Sequence, residues 1–253
     1  MFAPEDLTSD GFLDGRLRIA QPRFGYRAAM DPVLLAAACA ATPGQSVLEL
    51  GCGAGVASLC LAARVPGLRL AGLELQPAYA ALARANAQAH GIVLEVIEGD
   101  LAQMPPALRA QSFDHVIANP PYFPFGCGTA AADAGREAAQ REATPLADWV
   151  AQGLRRLRLG GWLTLIQNAD RLPEILTAFV LGAGDITVLP IAPRQGRAAG
   201  RVIVQGRKGG RGPFRLAAPL ILHAAPAHDG DREDLTPEAR AILRLGGALA
   251  LSR

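Results

Sequence analysis

The sequence predicts an α/β fold: a Rossmann-like, doubly wound, mostly parallel sheet of seven strands with helices on both faces. A short N-terminal hairpin precedes it and a small C-terminal extension follows. Three observations predict this. From residue 46 onward, short apolar runs alternate with longer segments of helical spacing, the pattern of βαβ units. A glycine-rich turn, Gly51-Cys52-Gly53-Ala54-Gly55, joins the first of these runs to the first helix of the series. A later run, Phe113 to Ala118, delivers the chain into Asn119-Pro120-Pro121-Tyr122, where two prolines forbid further strand pairing.

Taken in order, Phe12 to Ile19 reads as a hairpin, because Asp14-Gly15 tolerates positive φ and apolar residues alternate around it. Phe24-Gly25-Tyr26 leads to Asp31-Pro32, an N-cap followed by proline in the first turn, and then to an apolar helix from Val33 to Ala41. Ser46 to Gly51 is a buried strand, and a helix follows from about Ala54 to Arg64. Leu68 to Leu75 is the second strand, ending with Glu74. Gln76-Pro77 opens a helix that closes at His90-Gly91. Ile92 to Ile97 is the third strand, with Gly99-Asp100-Leu101 just past it, and Phe113 to Ala118 is the fourth.

Pro124 to Ala143 is a long small-residue loop carrying Arg136 and Arg141. Thr144-Pro145 then caps a helix that Gly160-Gly161 stops, and Trp162 to Gln167 is the fifth strand. A helix from Asp170 to Leu181 precedes two last strands, Asp185 to Ile191 and Gly200 to Gln205. Pro219 to His223 is a candidate edge strand, and Thr236-Pro237 caps a final helix ending at Gly246. Residues 1–45 are expected to pack on the core, 46–210 to form it, and 211–253 to extend the same domain.

Composition excludes little but directs attention. Half of the 253 residues are hydrophobic and the formal net charge is only +2. The distribution is more telling than the sum. Between Asp185 and Asp229 there is no acidic residue, while Arg194, Arg197, Arg201, Arg207, Lys208, Arg211 and Arg215 all fall there. Such an uncompensated stretch is what a phosphate backbone would meet; a solvated basic face is the plainer alternative. Cys39, Cys52, Cys60 and Cys127 form no Cys-x-x-Cys pair, so no metal is expected. The acidic N-terminus lacks the apolar core of a signal peptide, and no apolar run approaches the ~20 residues of a membrane span. A cytoplasmic protein without membrane attachment is expected.

The site residues follow from the fold. Ligands of a doubly wound sheet bind beyond the carboxyl ends of its strands, where strand order reverses. Glu49 with the glycine turn, Glu74, Asp100 and Asn119 stand at four successive strand ends. The turn is not a dinucleotide fingerprint. Its third glycine comes one residue early, and a carboxylate at Glu49 would repel a pyrophosphate. A cofactor bearing an ammonium and a sulfonium suits that acid better.

Val47-Leu48-Glu49-Leu50-Gly51-Cys52-Gly53-Ala54-Gly55 resembles the first motif of class I S-adenosylmethionine methyltransferases, and Asn119-Pro120-Pro121-Tyr122 resembles the catalytic loop of those that methylate planar NH2 groups. The resemblance implies S-adenosylmethionine as cofactor. Gly51, Gly53 and Gly55 would let the backbone approach it, Glu49 would hold the methionine end, Glu74 the ribose, and Asp100 with Leu101 the adenine. It also implies a catalytic role for Asn119 and Pro120, with Pro121 stiffening the loop and Tyr122 stacking on the acceptor. The amide oxygen of Asn119 and the carbonyl of Pro120 can accept both protons of an amino group.

Adenine N6, guanine N2 and the glutamine amide of release factors all fit this loop. The flanks favour one of them. Phe24-Gly25-Tyr26, Asp31-Pro32-Val33-Leu34-Leu35, Gly135-Arg136-Glu137-Ala138, Arg201-Val202-Ile203-Val204 and Pro219-Leu220-Ile221-Leu222-His223 resemble the bacterial tRNA(Val) adenine-N6 methyltransferase family, which modifies an adenine beside the anticodon. The expected partner is therefore tRNA, contacted by Arg136, Arg141, Arg194, Arg197, Arg207, Lys208 and Arg211. A non-catalytic binding module is the competing class, and an intact Asn119 amide argues against it.

Overall fold

The computed structural model describes residues 2–124, 141–142, 144–227 and 233–251. A hairpin opens the chain: β1 (Leu7–Phe12) pairs antiparallel with β2 (Leu17–Pro22). Its turn holds Leu13, Asp14 and Gly15 all at positive φ. The core then runs α1 (Asp31–Ala38), β3 (Ser46–Leu50), α2 (Val56–Arg64), β4 (Arg69–Glu74), α3 (Pro77–Ala89) and β5 (Leu94–Glu98). A short α4 (Pro106–Arg109), which has too few residues to show a periodicity, leads to β6 (Phe113–Ala118). Beyond it come β7 (Phe123–Pro124), β8 (Arg141–Glu142), α5 (Leu146–Arg156), β9 (Leu157–Asn168), α6 (Leu172–Phe179), β10 (Ala183–Arg194) and β11 (Arg201–Lys208). β12 (Arg215–Leu216), β13 (Leu220–His223) and α7 (Pro237–Leu243) close the described chain.

The main sheet has the order β12-β10-β11-β9-β6-β3-β4-β5, with β13 also on β10. The seven expected strands form its body, and two short strands, β12 and β13, lie along the β10 edge. β3, β4, β5, β6 and β9 are parallel, and β11 runs against both β9 and β10. Strand order reverses between β3 and β6, which are direct neighbours with Leu50 opposite Ala118.

Side chains alternate across this sheet. Val47, Ile117, Ile166, Leu189 and Ile203 join α1 and α2 in one core. Leu48, Val116, Leu165, Val188 and Val204 join α5 and α6 in the other. A strand's period of two thus supplies both layers, which is why the strands read as continuous apolar runs.

Three boundaries differ from expectation. Asp31 lies inside α1 and caps nothing with its side chain; the N-cap position is Met30. Gly160-Gly161 does not stop a helix. α5 ends at Arg156, and β9 runs through both glycines, because a Cβ at Gly161 would strike the Asp114 carbonyl at 2.8 Å and only glycine lets that strand close. Thr144 makes no cap either, since Pro145 holds the N-cap position of α5 without a side-chain bond. At the other end of the chain Thr236 does cap α7, accepting from the Ala239 N–H at 3.1 Å.

A buried amide helps tie the hairpin to the core. Asn86 accepts from Ala20 N–H at 2.9 Å and donates to the carbonyls of Ala20 and Ala54, both at 3.0 Å. It thereby ties the hairpin to the glycine turn.

Candidate active site

The site lies at the reversal of strand order. Gly51 follows β3 and Asn119 follows β6, so two in-register neighbours place the glycine turn beside the Asn-Pro-Pro-Tyr loop. Adjacent strands are ~4.8 Å apart. The cleft between them is lined by Glu49, Gly51, Gly53, Glu74, Gln76 and Asn119, and walled by Tyr26, Tyr79, Pro121 and Trp149.

The glycine turn needs its glycines. Gly51, Gly53 and Gly55 have φ of 66°, 53° and 85°. A Cβ on Gly51 would come within 2.7 Å of the Trp149 ring. Two carboxylates then set the turn. Glu74 accepts from Gly53 N–H and from Gln76 N–H, each at 2.8 Å. Glu49 accepts from the Ser58 N–H at 2.9 Å and hydroxyl at 2.5 Å, anchoring the first turns of α2. Burial pushes the Glu49 carboxyl up to about 7 and raises that of Glu74.

The Glu49 shift has a thermodynamic consequence with a definite sign. Its folded-state value lies above the unfolded value of ~4.3, so its contribution to stability is fully present below that pH and lost as pH rises through about 7. Glu49→Gln removes this dependence. Calorimetry from pH 5 to pH 8 should show the wild type losing on the order of 3 kcal/mol relative to Glu49→Gln; parallel profiles would mean Glu49 is ionised in the free protein.

Asn119 is half-buried. Its Nδ2 lies 3.4 Å from the Tyr26 hydroxyl and its Oδ1 2.9 Å from the Tyr122 hydroxyl. The Tyr122 hydroxyl also bonds the Asp31 carboxylate, which pairs with Arg201 Nε at 3.3 Å. The Arg201 guanidinium sits 4.6 Å above the Tyr122 ring. One face of that ring is therefore covered by a cation.

Gln167, fully buried at the end of β9, holds the loop backbone. Its Nε2 donates to the Pro121 carbonyl at 3.0 Å and lies 3.3 Å from that of Pro120. A carbonyl has two lone pairs, so Pro120 keeps one for a substrate. Gln167→Leu leaves buried carbonyls unpaired, at about 1–3 kcal/mol. Turnover should fall at least tenfold with cofactor affinity unchanged in a binding titration; unchanged turnover would make Gln167 dispensable to the loop.

Asp100 and Leu101 follow β5, just past the Gly99 N–H that donates to the Glu74 carbonyl at 2.9 Å. The Asp100 carboxylate closes its own turn on Ala102 N–H at 2.8 Å, and Leu101 is buried in the core. Among the basic residues, Arg194 and Arg197 lie at the cleft end of the sheet, but Arg194 is engaged by Asp234 at 2.8 Å and by the Ala225 carbonyl. Arg197 is exposed on the β10–β11 turn.

Arg207 and Lys208 lie at the opposite end of β11, where they donate to the Gly160 and Leu157 carbonyls. Six residues of strand separate Arg207 from Arg201, ~20 Å. Arg211 follows them at that far end. Arg136 lies outside the described residues, as does the side chain of Arg141. Sequence reasoning missed Tyr26, Asp31, Trp149, Arg201 and Gln167 as parts of the site.

No group of residues suited to a metal ion occurs among the described residues, and no described helix is long and apolar enough to cross a membrane. The glycine cradle, the turn-bound carboxylates and the Trp149 Nε1, buried without a partner among the described residues, fit a polar cofactor with a flat base and an amino-acid tail.

A doubly wound sheet with this cleft defines a class I S-adenosylmethionine-dependent methyltransferase. Residues 30–180 match the methyltransferase small domain, and the chain belongs to that family. It is 33% identical over 178 residues to a tRNA1(Val) (adenine(37)-N6)-methyltransferase of Porphyromonas gingivalis, covering 67% of this chain and 69% of that one. It is 32% identical over 145 residues to a release factor glutamine methyltransferase of Geobacter sulfurreducens, covering 53% and 49%. A solved structure from Agrobacterium tumefaciens, described as a predicted O-methyltransferase, superposes with a TM-score of 0.72 at 27% identity, over 88% of this chain and all of that one.

Proposed function

We propose that this methyltransferase transfers the methyl group to the exocyclic N6 of an adenine in a tRNA anticodon loop, next to the anticodon of a valine tRNA. The observation that carries this reading is the Asn119 side chain on the cleft lining beside the glycine turn, followed by a Pro120 carbonyl that Gln167 holds. The cofactor supplies an electrophilic methyl group. The chain's own work is to grip a poor nucleophile. An adenine amino group has its lone pair drawn into the ring and offers two N–H donors. Asn119 and the Pro120 carbonyl accept them, raise electron density on nitrogen, and fix its direction. Gln167 keeps the carbonyl from drifting.

Cofactor contacts follow the same logic. Gly51 and Gly53 bring backbone close to the ligand, and Glu74 retains unused lone pairs towards the cleft for a ribose. Glu49, its carboxyl pushed up to about 7 by burial, supplies a charge for the ammonium once it ionises. Glu74→Ala frees the Gly53 N–H as well, so the dissociation constant for S-adenosylmethionine should rise about tenfold or more in calorimetry; an unchanged value would remove Glu74 from the site.

Adenine is favoured over glutamine because the Porphyromonas gingivalis adenine-N6 relative matches 67% of this chain and 69% of its own, whereas the release-factor relative matches 53% and 49%. The exposed Arg197 and the partly exposed Arg201 at the cleft end suit phosphates. An anticodon-loop base is unpaired and can be splayed out cheaply. The test is to give labelled cofactor, total tRNA and release factor together to the enzyme. Label in tRNA supports the reading, and label confined to release factor overturns it.

A further inference from the structure

The Tyr122 hydroxyl stands between two acceptors and has one proton to give. On one side is the Asp31 carboxylate; on the other, 2.9 Å away, is Asn119 Oδ1. Burial and the adjacent Asp31 charge raise the Tyr122 pKa, so the phenol keeps its proton at neutral pH. A carboxylate, ion-paired with Arg201 and only 15% exposed, is the stronger acceptor. The phenol O–H donates to Asp31. The phenol oxygen then turns lone pairs towards Asn119, where a second oxygen would be repelled.

An Asn amide fills the same volume with its nitrogen and oxygen exchanged, and hydrogen-bond accounting decides between the two. We infer that Asp31, acting through Tyr122, is a positioning residue that sets the Asn119 amide with Nδ2 on the Tyr122 oxygen and Oδ1 facing the cleft. This rests on the amino-acceptor reading of the site, because only then must an oxygen face the substrate. The Tyr26 hydroxyl, 3.4 Å away, is neutral in the choice, since a hydroxyl donates as readily as it accepts. Asp31 also does more than orient. A chain from carboxylate to phenol to amide polarises each link in turn and leaves Oδ1 a stronger acceptor for the substrate N–H. This accounts for an acid inside the first turn of α1 that caps nothing, reaching 91 residues along the chain to Tyr122.

Arg201 completes the device. Its guanidinium neutralises Asp31 and covers the Tyr122 ring, holding the phenol in the plane that both partners need.

Two readouts test this. In the free protein, the Asn119 side-chain amide protons, assigned by their loss in Asn119→Ala, should show nuclear Overhauser contacts to the Tyr122 ring; contacts to Tyr26 alone would overturn the inference, whatever the substrate proves to be. In turnover, Asp31→Asn keeps shape and an acceptor but loses the bias, so kcat should fall about tenfold while the cofactor Kd stays within about twofold. In a Tyr122→Phe background the link is already cut, and Asp31→Asn should cost less than about twofold more. A full tenfold loss in that background would show that Asp31 acts by another route. An inactive wild type on tRNA would count against the proposed substrate, and the amide contacts would still decide the relay.

Discussion

Replacing Asn119 with alanine is expected to lower turnover by a hundredfold or more while S-adenosylmethionine binds with unchanged affinity. The substitution removes the one side-chain acceptor at the end of β6 and leaves the glycine turn untouched, because the two loops meet through strand pairing and not through Asn119. The cofactor's methyl would still be present, but the amino group would face it with one N–H ungripped and its lone pair unaligned. Single-turnover kinetics beside a calorimetric titration separate the two effects. A variant that binds cofactor and retains turnover would take Asn119 out of the chemistry.

Gly51→Ala should act in the opposite sense, on affinity first. Gly51 sits at φ 66°, where a Cβ costs about 1–2 kcal/mol, and that Cβ would meet the Trp149 ring at 2.7 Å. Relieving the clash means pushing Trp149 or the turn itself into the cleft, an overpacking cost of about 1–3 kcal/mol more. Cofactor affinity should therefore fall tenfold or more, and the thermal midpoint should drop with it. Gly15→Ala is the control: φ is 80° there too, yet nothing lies within 4 Å of the added atom. It should lower stability slightly and leave cofactor binding alone. Equal cofactor affinity in Gly51→Ala and wild type would mean the turn does not cradle the ligand.

What was legible in the sequence was what is local. Strand ends declare themselves by apolar runs giving way to Gly51, Glu74 and Asn119, and a parallel sheet then brings Gly51 and Asn119 together. Asp100 stands after a strand end as expected, one residue past the Gly99 N–H that bonds the Glu74 carbonyl at 2.9 Å, and its carboxylate also closes a local turn on Ala102 N–H that no strand-end rule foretells.

The supporting groups were hidden by distance along the chain. Gln167 reaches 47 residues to Pro120, and Tyr26 reaches 93 to Asn119. No spacing rule marks such pairs. The fold divides the basic stretch between two ends of the sheet. A strand carries charge from one end of a sheet to the other, so Arg201 and Arg207, close in sequence, face opposite ends of the molecule. Arg197 and Arg201 stand at the cleft end, and Arg207 and Lys208 at the far end.

The acceptor proposed for this enzyme is an amino nitrogen of adenine. The direct measurement is to methylate tRNA with the enzyme, digest it to nucleosides, and identify the product by mass spectrometry against N6-methyladenosine, N2-methylguanosine and ring-methylated standards. N6-methyladenosine, absent when Asn119→Ala is used, is the predicted result. A ring-methylated or ribose-methylated nucleoside, or N6-methyladenosine formed equally by Asn119→Ala, would contradict it.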